Sequence, residues 1–131
     1  MEREKLLFKE HSLEYFKFLI DNYEFEIETA DLYKICYHKD KIRVSILHEK
    51  LSFELYIILE VNGADRVYSD LNQLLEQDNI PTRFYQGSTL ENIDFCLKHI
   101  SQELQTFIMN HPLDNELWMG LIKKLTMEYI N

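Results

Sequence analysis

Two spacings of apolar residues divide the chain. From residue 3 to about 22, Phe8, Ser12, Tyr15, Phe16, Leu19 and Tyr23 recur at three-and-four steps, with no Gly or Pro between them. That spacing predicts a single helix. Strict alternation then takes over. Phe25 and Ile27 interleave with Glu24, Glu26 and Glu28. Tyr33, Ile35 and Tyr37 interleave with Lys34, Cys36 and His38. Ile42, Val44 and Ile46 interleave with Arg43, Ser45 and Leu47, and Phe53 through Val61 repeat the pattern. Period two with β-branched and aromatic residues predicts strands, and short links favour antiparallel neighbours. The expectation is a four-stranded meander.

Opposing the apolar sets sets Ile27 against Tyr33, Tyr37 against Ile42, Ile35 against Val44, Ile46 against Leu55 and Val44 against Ile57. The same register faces Glu26 with Lys34 and Lys41 with Glu60, pairs of opposite charge. Asn62-Gly63 marks a turn. Ser69 is a candidate cap for a short helix over 70–77, and a loop with Pro81 spans 78–87, its Ile80, Phe84 and Tyr85 expected to lid the core. Ser88-Thr89-Leu90-Glu91 reads as a capping box. The helix it opens carries Leu90, Ile93, Leu97, Ile100, Leu104 and Phe107 and ends before Pro112. This stripe is expected to cover the sheet, the alternative being a coiled-coil seam. Asp114 is placed to cap a last helix bearing Leu117, Trp118, Leu121, Ile122, Leu125 and Tyr129, with Lys123 and Lys124 towards its negative end. The predicted order is α-ββββ-α-α-α: one α+β domain over residues 1–131, its sheet covered on one face by helices.

The charge balance narrows the partners. There are 14 Lys+Arg against 23 Asp+Glu, a net charge of −9. No basic stripe exists to displace counterions from phosphates, so nucleic acid and anionic membranes are not expected; the acidic excess is compatible with a basic protein partner, and its plainer reading is solubility. The opening residues have no apolar h-region and the chain no 18-residue apolar span, so neither a signal peptide nor a membrane helix is expected. Two lone cysteines, Cys36 and Cys96, suit reduced thiols, and the expected compartment is the cytoplasm.

Candidate chemistry is sparse. The three glycines are too scattered for a phosphate loop. Cys36 with His38, and Cys96 with His99, each offer two ligands where a structural zinc needs four, and no metal or other cofactor is expected. A Cys96–His99 nucleophile pair would need an oxyanion donor and a lowered thiol pKa, and Cys96 falls more than a turn inside its helix. His99 reads more simply as an i,i+4 partner of Glu103. Glu24, Glu26 and Glu28 read as protection of a sheet edge or as an acidic contact strip. Arg83, among aromatics, is a weak candidate for an anion.

The outward sheet face is more informative. It gathers Cys36, Arg43, Leu47, Tyr56 and Ile58, ringed by Lys34, Glu26, Glu54 and Glu60. Tyr and Arg at a centre with a charged rim have the composition of a protein contact surface, unless a helix or the 80–85 loop covers them. Arg43, Tyr56, Ile58, Glu54 and Glu26 are the candidate binding residues.

The opening helix, the amphipathic meander over 42–61, Val67-Tyr68-Ser69-Asp70-Leu71 entering a short helix, and the closing helices together resemble the small acidic proteins that accompany bacterial toxins as immunity partners, and uncharacterised bacterial proteins of that size. The resemblance covers most of the chain. It implies inhibition by binding and carries over no functional residue. The expected function is a non-enzymatic protein-binding module, an immunity- or antitoxin-like inhibitor of a basic partner. The alternatives are a ligand-binding domain or enzyme with a pocket between sheet and helices, or a homo-oligomeric scaffold.

Overall fold

The computed structural model describes residues 3–63, 66–82 and 84–130, the last five without their side chains. An antiparallel sheet forms in the order β1(Glu26–Ala30)-β2(Lys34–Lys39)-β3(Ile42–His48)-β4(Glu54–Asn62)-β5(Arg66–Asp70), and the short β6(Tyr85–Gln86) pairs with the start of β4. The α+β class and the four-strand meander hold. The sheet is larger than four strands because Arg66–Asp70, expected as a turn and cap, instead pairs with β4: Val67 faces Val61 and Ser69 faces Leu59.

The predicted faces survive and the predicted register does not. Tyr37 lies opposite Val44, Ile35 opposite Ile46, Ile46 opposite Ile57 and Val44 opposite Leu59. Each of these four pairings is two residues from the one expected, and Ile27, expected opposite Tyr33, faces Tyr37, four residues away; both slips leave in/out parity unchanged. Between β2 and β3 the tight Asp40-Lys41 turn accounts for the slip, since Lys39 already pairs with Ile42; between β3 and β4 the register follows from the separate connection after His48, which pairs with Leu55. Asp40 takes the left-handed conformation, φ 52°, which two-residue hairpin turns demand. The expected ion pairs change accordingly: Glu26 faces His38 rather than Lys34, and Glu60 faces Arg43 rather than Lys41.

The inward side chains make the core. Ile35, Tyr37, Val44, Ile46, Leu59 and Val61 are all fully buried, each aliphatic one contributing about 1.5–3 kcal/mol by leaving water. Burial also pushes the Tyr37 phenol up to about 12. The roof over them comprises α1(Phe8–Tyr15), α3(Leu71–Gln77), α4(Leu90–Asn110) and α5(Asn115–Ile130). The α4 stripe is spent inside the molecule: Ile93, Leu97, Ile100, Leu104 and Phe107 are buried, though Leu90 is partly exposed.

The single opening helix is not observed. A 3₁₀ turn, Arg3–Leu6, is followed by α1 and by α2(Phe18–Tyr23). Leu7, between the first two, is left-handed with φ 57°, a conformation that costs a non-glycine residue about 1–2 kcal/mol. The break lets Leu6 and Phe8 both insert into the core, at 1% and 2% exposure. Two breaks divide the helix although no residue type in the segment signals either.

The caps shift by a residue. Asp70, not Ser69, caps α3, accepting from the Asn72 N–H at 2.8 Å. Thr89, not Ser88, caps α4, accepting from the Asn92 N–H at 3.1 Å. Asp114 caps α5 as expected, through the Leu117 N–H at 2.8 Å. In the 78–87 loop Tyr85 does lid the core and Ile80 packs against it, but Phe84 is 84% exposed. Arg83 and the side chain of Tyr129 lie outside the described residues.

Candidate contact face on the outer side of the sheet

Among the described residues, only strand residues border the outer side of the sheet where β1 to β5 meet. A concavity of about 340 Å³ opens there, lined among others by Cys36, Ser45, Leu47 and Ile58. Its geometry is set by a β-bulge. Ile27 pairs with Tyr37 and Thr29 with Cys36, leaving Glu28 as the extra residue. Bulges bend a strand and re-aim a side chain. Here Glu28 turns over the sheet, where its carboxylate accepts from the Cys36 thiol at 3.2 Å and from Arg43 Nη2 at 2.9 Å.

From Glu28 a ladder of alternating charge crosses the sheet. Arg43 Nη1 donates to Glu60 Oε2 at 3.1 Å, and Arg66 Nε donates to Glu60 Oε1 at 2.5 Å. The Arg66 guanidinium also lies 5.8 Å from the centre of the Tyr68 ring. Burial works to raise the Glu60 carboxyl, but the hydrogen bonds from Arg66 and Arg43 outweigh it and hold the group below its usual range. The Cys36 hydrogen bond, with help from Arg43, does the same for Glu28 against a weaker opposing effect of burial. Cys36 itself is shifted up, chiefly by burial, so it is a protected thiol and not a nucleophile poised to ionise.

Of the five residues expected to bind, Arg43 and Ile58 line the concavity. Tyr56 sits beside it on the same face, across from Leu47. Glu54 is further along β4, across from Gln86. Glu26 is at the sheet edge, 3.6 Å from His38. Glu60, expected on the rim, is at the centre and only 7% exposed. Three contributors were not foreseen. Arg66 and Tyr68 arrive on the unpredicted β5, and Tyr68 is 62% exposed. Phe84 precedes β6; with Tyr85 facing the core, alternation puts Phe84 on the outer side, one step beyond the Tyr85–Leu55 pair and so beside Tyr56.

The remaining candidates do not converge. The Cys96 thiol donates to the Gln86 carbonyl at 3.5 Å, and His99 Nδ1 lies 2.8 Å from the Phe95 carbonyl oxygen. Glu103 accepts from the Tyr85 hydroxyl instead of pairing with His99. A crevice between sheet and helices, bordered by Leu55, Leu71, Tyr85 and Ile100, encloses only about 10 Å³, room for no more than one water. No group of three or more His, Cys, Asp or Glu side chains able to hold a metal occurs among the described residues. None of the described helices is long and apolar enough to cross a membrane.

One buried polar residue lies outside this face. His48 continues the inward series Ile42, Val44, Ile46 and is 1% exposed. Its Nδ1 is 2.8 Å from Arg3 Nη1 and its Nε2 2.9 Å from the Gly87 carbonyl oxygen. A guanidinium can only donate and a carbonyl only accept, so the ring is the neutral tautomer protonated at Nε2. Phe8 stacks on it with ring centres 5.1 Å apart. Parity alone places His48 inside; only its polar character argued the other way.

The fold and this face define an α+β protein with one helix-covered and one open side of the sheet. No protein-family model, no curated protein and no solved structure matches the chain.

Proposed function

We propose that this chain is a non-enzymatic protein-binding module that acts through the outer face of its sheet, as an immunity- or antitoxin-like inhibitor of a basic partner. The observation that carries the reading is the uncovered centre of that face: Leu47, Ile58 and Tyr56 beside a guanidinium–carboxylate ladder. Aromatic, aliphatic and Arg anchors inside a polar rim are the composition of binding hot spots. The net charge of −9 would speed encounter with a basic protein, while the mixed charges of the face fix orientation after contact.

The test is capture of partners from the cells that make the protein, with a photo-crosslinker at Tyr56 in the otherwise native chain. A parallel bait carries Ile58→Arg, and a third carries the crosslinker at Met109, an exposed position on α4. The reading predicts one basic protein crosslinked at Tyr56 and lost with Ile58→Arg. Identical products from all three baits, or none, would refute it.

A further inference from the structure

We infer that Arg3 is a latch on His48, and that protonation of this buried ring releases the opening turn, Arg3–Leu6, while the sheet and the helices that roof it stay folded. The latch lies on the inner side of the sheet and does not depend on the reading of the outer face.

The turn is fastened through one side chain. Among the described residues, Arg3 alone makes polar contacts between this turn and the sheet. Its Nη1 donates to His48 Nδ1 at 2.8 Å. Its Nη2 donates to the Lys50 carbonyl at 2.7 Å and, more loosely, to the Glu49 carbonyl at 3.5 Å. The guanidinium lies 4.4 Å from the centre of the Phe53 ring and 4.8 Å from that of Tyr33, where ring faces attract a cation. All of these contacts use one rigid plane, so the group cannot withdraw from the imidazole and keep the rest. The other fastening is apolar: Leu6 is 1% exposed, and the turn packs on α4.

The ring is the partner that cannot move. His48 ends β3, where its backbone N–H donates to the Tyr33 carbonyl at 2.8 Å and the residue pairs with Leu55. Phe8 and Phe53 flank the imidazole at 5.1 and 5.6 Å between ring centres, and Nε2 is 2.9 Å from the Gly87 carbonyl oxygen. The charged groups that face it are Arg3, from the turn, and Glu49, from the β3–β4 connection. α1, β4 and the segment before α4 present Phe8, Leu55 and the Gly87 carbonyl, none of which titrates. The Lys50 ammonium lies over the Tyr33 ring, 4.7 Å from its centre. The Glu49 carboxylate accepts from the Leu51 and Ser52 N–H groups and makes no ion pair with the ring. A proton on Nδ1 therefore finds no acceptor. It sets two donors of like charge against each other, and the mobile one, Arg3, leaves.

A hinge is already in place. Leu7, which joins the turn to α1, is left-handed with φ 57°, a region that residues other than glycine occupy sparsely. Its N–H reaches the Glu4 carbonyl only at 3.3 Å. The closed turn holds backbone strain that opening relieves. α1 keeps its own anchors: Phe8 and Ser12 are buried, and the His11 N–H donates to the Leu7 carbonyl at 2.9 Å. Opening gives the Nδ1 side of the ring to water. The open form accordingly binds the proton more tightly than the closed form, and falling pH shifts the population towards it. The open-to-closed ratio rises by at most about tenfold per pH unit below the ordinary imidazole value.

The experiment is methyl and imidazole NMR on the full chain from about pH 7.5 to about pH 5, a span that brackets that value. On release the Leu6 methyl signals should move from core positions towards those of an unstructured leucine, with the midpoint of the His48 ring. The signals of Leu74 in α3 and Ile122 in α5 should hold still. His48→Gln, which cannot titrate, should keep Leu6 at one position throughout. Arg3→Met keeps the length of the side chain without its charge or donors; it should leave Leu6 partly released at the highest pH and uncouple it from the His48 titration. Leu6 signals that stay at core positions through the His48 titration, that move together with those of Leu74 and Ile122, or that titrate alike in His48→Gln would overturn the inference.

Discussion

Acid should destabilise this protein through one buried ring. His48 is neutral because both of its nitrogens are committed, Nε2–H to the Gly87 carbonyl and Nδ1 to a donor on Arg3. A second proton would remove the acceptor that Arg3 uses and set two cations 2.8 Å apart. Burial already holds this imidazole below its ordinary value of 6.5, and the nearby Arg3 charge adds to the effect. The hydrogen bond to the Gly87 carbonyl pulls the other way without outweighing burial, as does, more weakly, the carboxylate of Glu49, which is held by the Leu51 and Ser52 N–H groups.

The sign follows from linkage. The unfolded chain takes up the proton near pH 6.5, and the folded chain only at lower pH. The stabilisation is therefore full above 6.5, is lost as pH falls through that value, and stops falling below the folded pKa. Within that window one proton separates the states, so this group's slope approaches about 1.4 kcal/mol per pH unit. Glu28 and Glu60, both lowered from 4.5, act only at more acid pH. The assay is urea unfolding at half-unit steps from pH 7.5 to 5, followed by the fluorescence of Trp118, the chain's one tryptophan and 1% exposed. His48→Gln retains a donor and an acceptor but cannot titrate. It should lose about 1–3 kcal/mol at pH 7.5 from imperfect hydrogen bonds and run flatter than the parent below 6.5. Parallel curves for the two chains would refute the argument.

Four further outcomes follow from local contacts. Gly120→Ala should stabilise by about 0.5–1 kcal/mol, since a Cβ there meets nothing within 4 Å and α5 would gain a better helix former; urea midpoints decide it. Gly87→Ala should cost about 1–3 kcal/mol in the same assay, because its Cβ would lie 2.6 Å from Ile93 Cδ1 and 2.9 Å from Leu55 Cδ1. Asp70 has its carboxyl shifted up by burial while capping α3, so Asp70→Asn should be near neutral and Asp70→Ala should lose about 1 kcal/mol. Glu60→Ala removes the nearly buried carboxylate that Arg43 and Arg66 share, leaving Arg43 with Glu28 alone, and should cost about 1–3 kcal/mol, whereas Glu28→Ala, at an exposed pair, should cost under about 1 kcal/mol; equal losses in thermal unfolding would contradict the ladder's hierarchy.

The two-residue register error shows what alternation can and cannot specify. Parity decides which side chains enter the core, and every β2–β4 residue expected inside is inside. A slip of two preserves parity, so the apolar pattern is blind to it, and only turn chemistry separates the options. Lys39-Asp40-Lys41-Ile42 carries none of the Asn-Gly type signals that fix a two-residue turn. The complementary pairs expected at Glu26–Lys34 and Lys41–Glu60 were products of a chain rich in both charges. Similarly, the left-handed Leu7 has no local signature, because the gain that supports it is burial of both its neighbours.

The candidate contact face was legible in its centre and not in its edges, for one physical reason. Arg43, Leu47, Tyr56 and Ile58 belong to strands inside the meander, where neighbours are consecutive in sequence. Glu28, Arg66, Tyr68 and Phe84 reach the face through a bulge, a fifth strand and a two-residue sixth, each settled by tertiary pairing. Those are the groups that turn an apolar patch into an ordered row of charges flanked by exposed rings. The apolar centre of the face could be inferred from composition and alternation alone. The alternation of sign across the sheet depends on strand order, and strand order is a property of the folded chain.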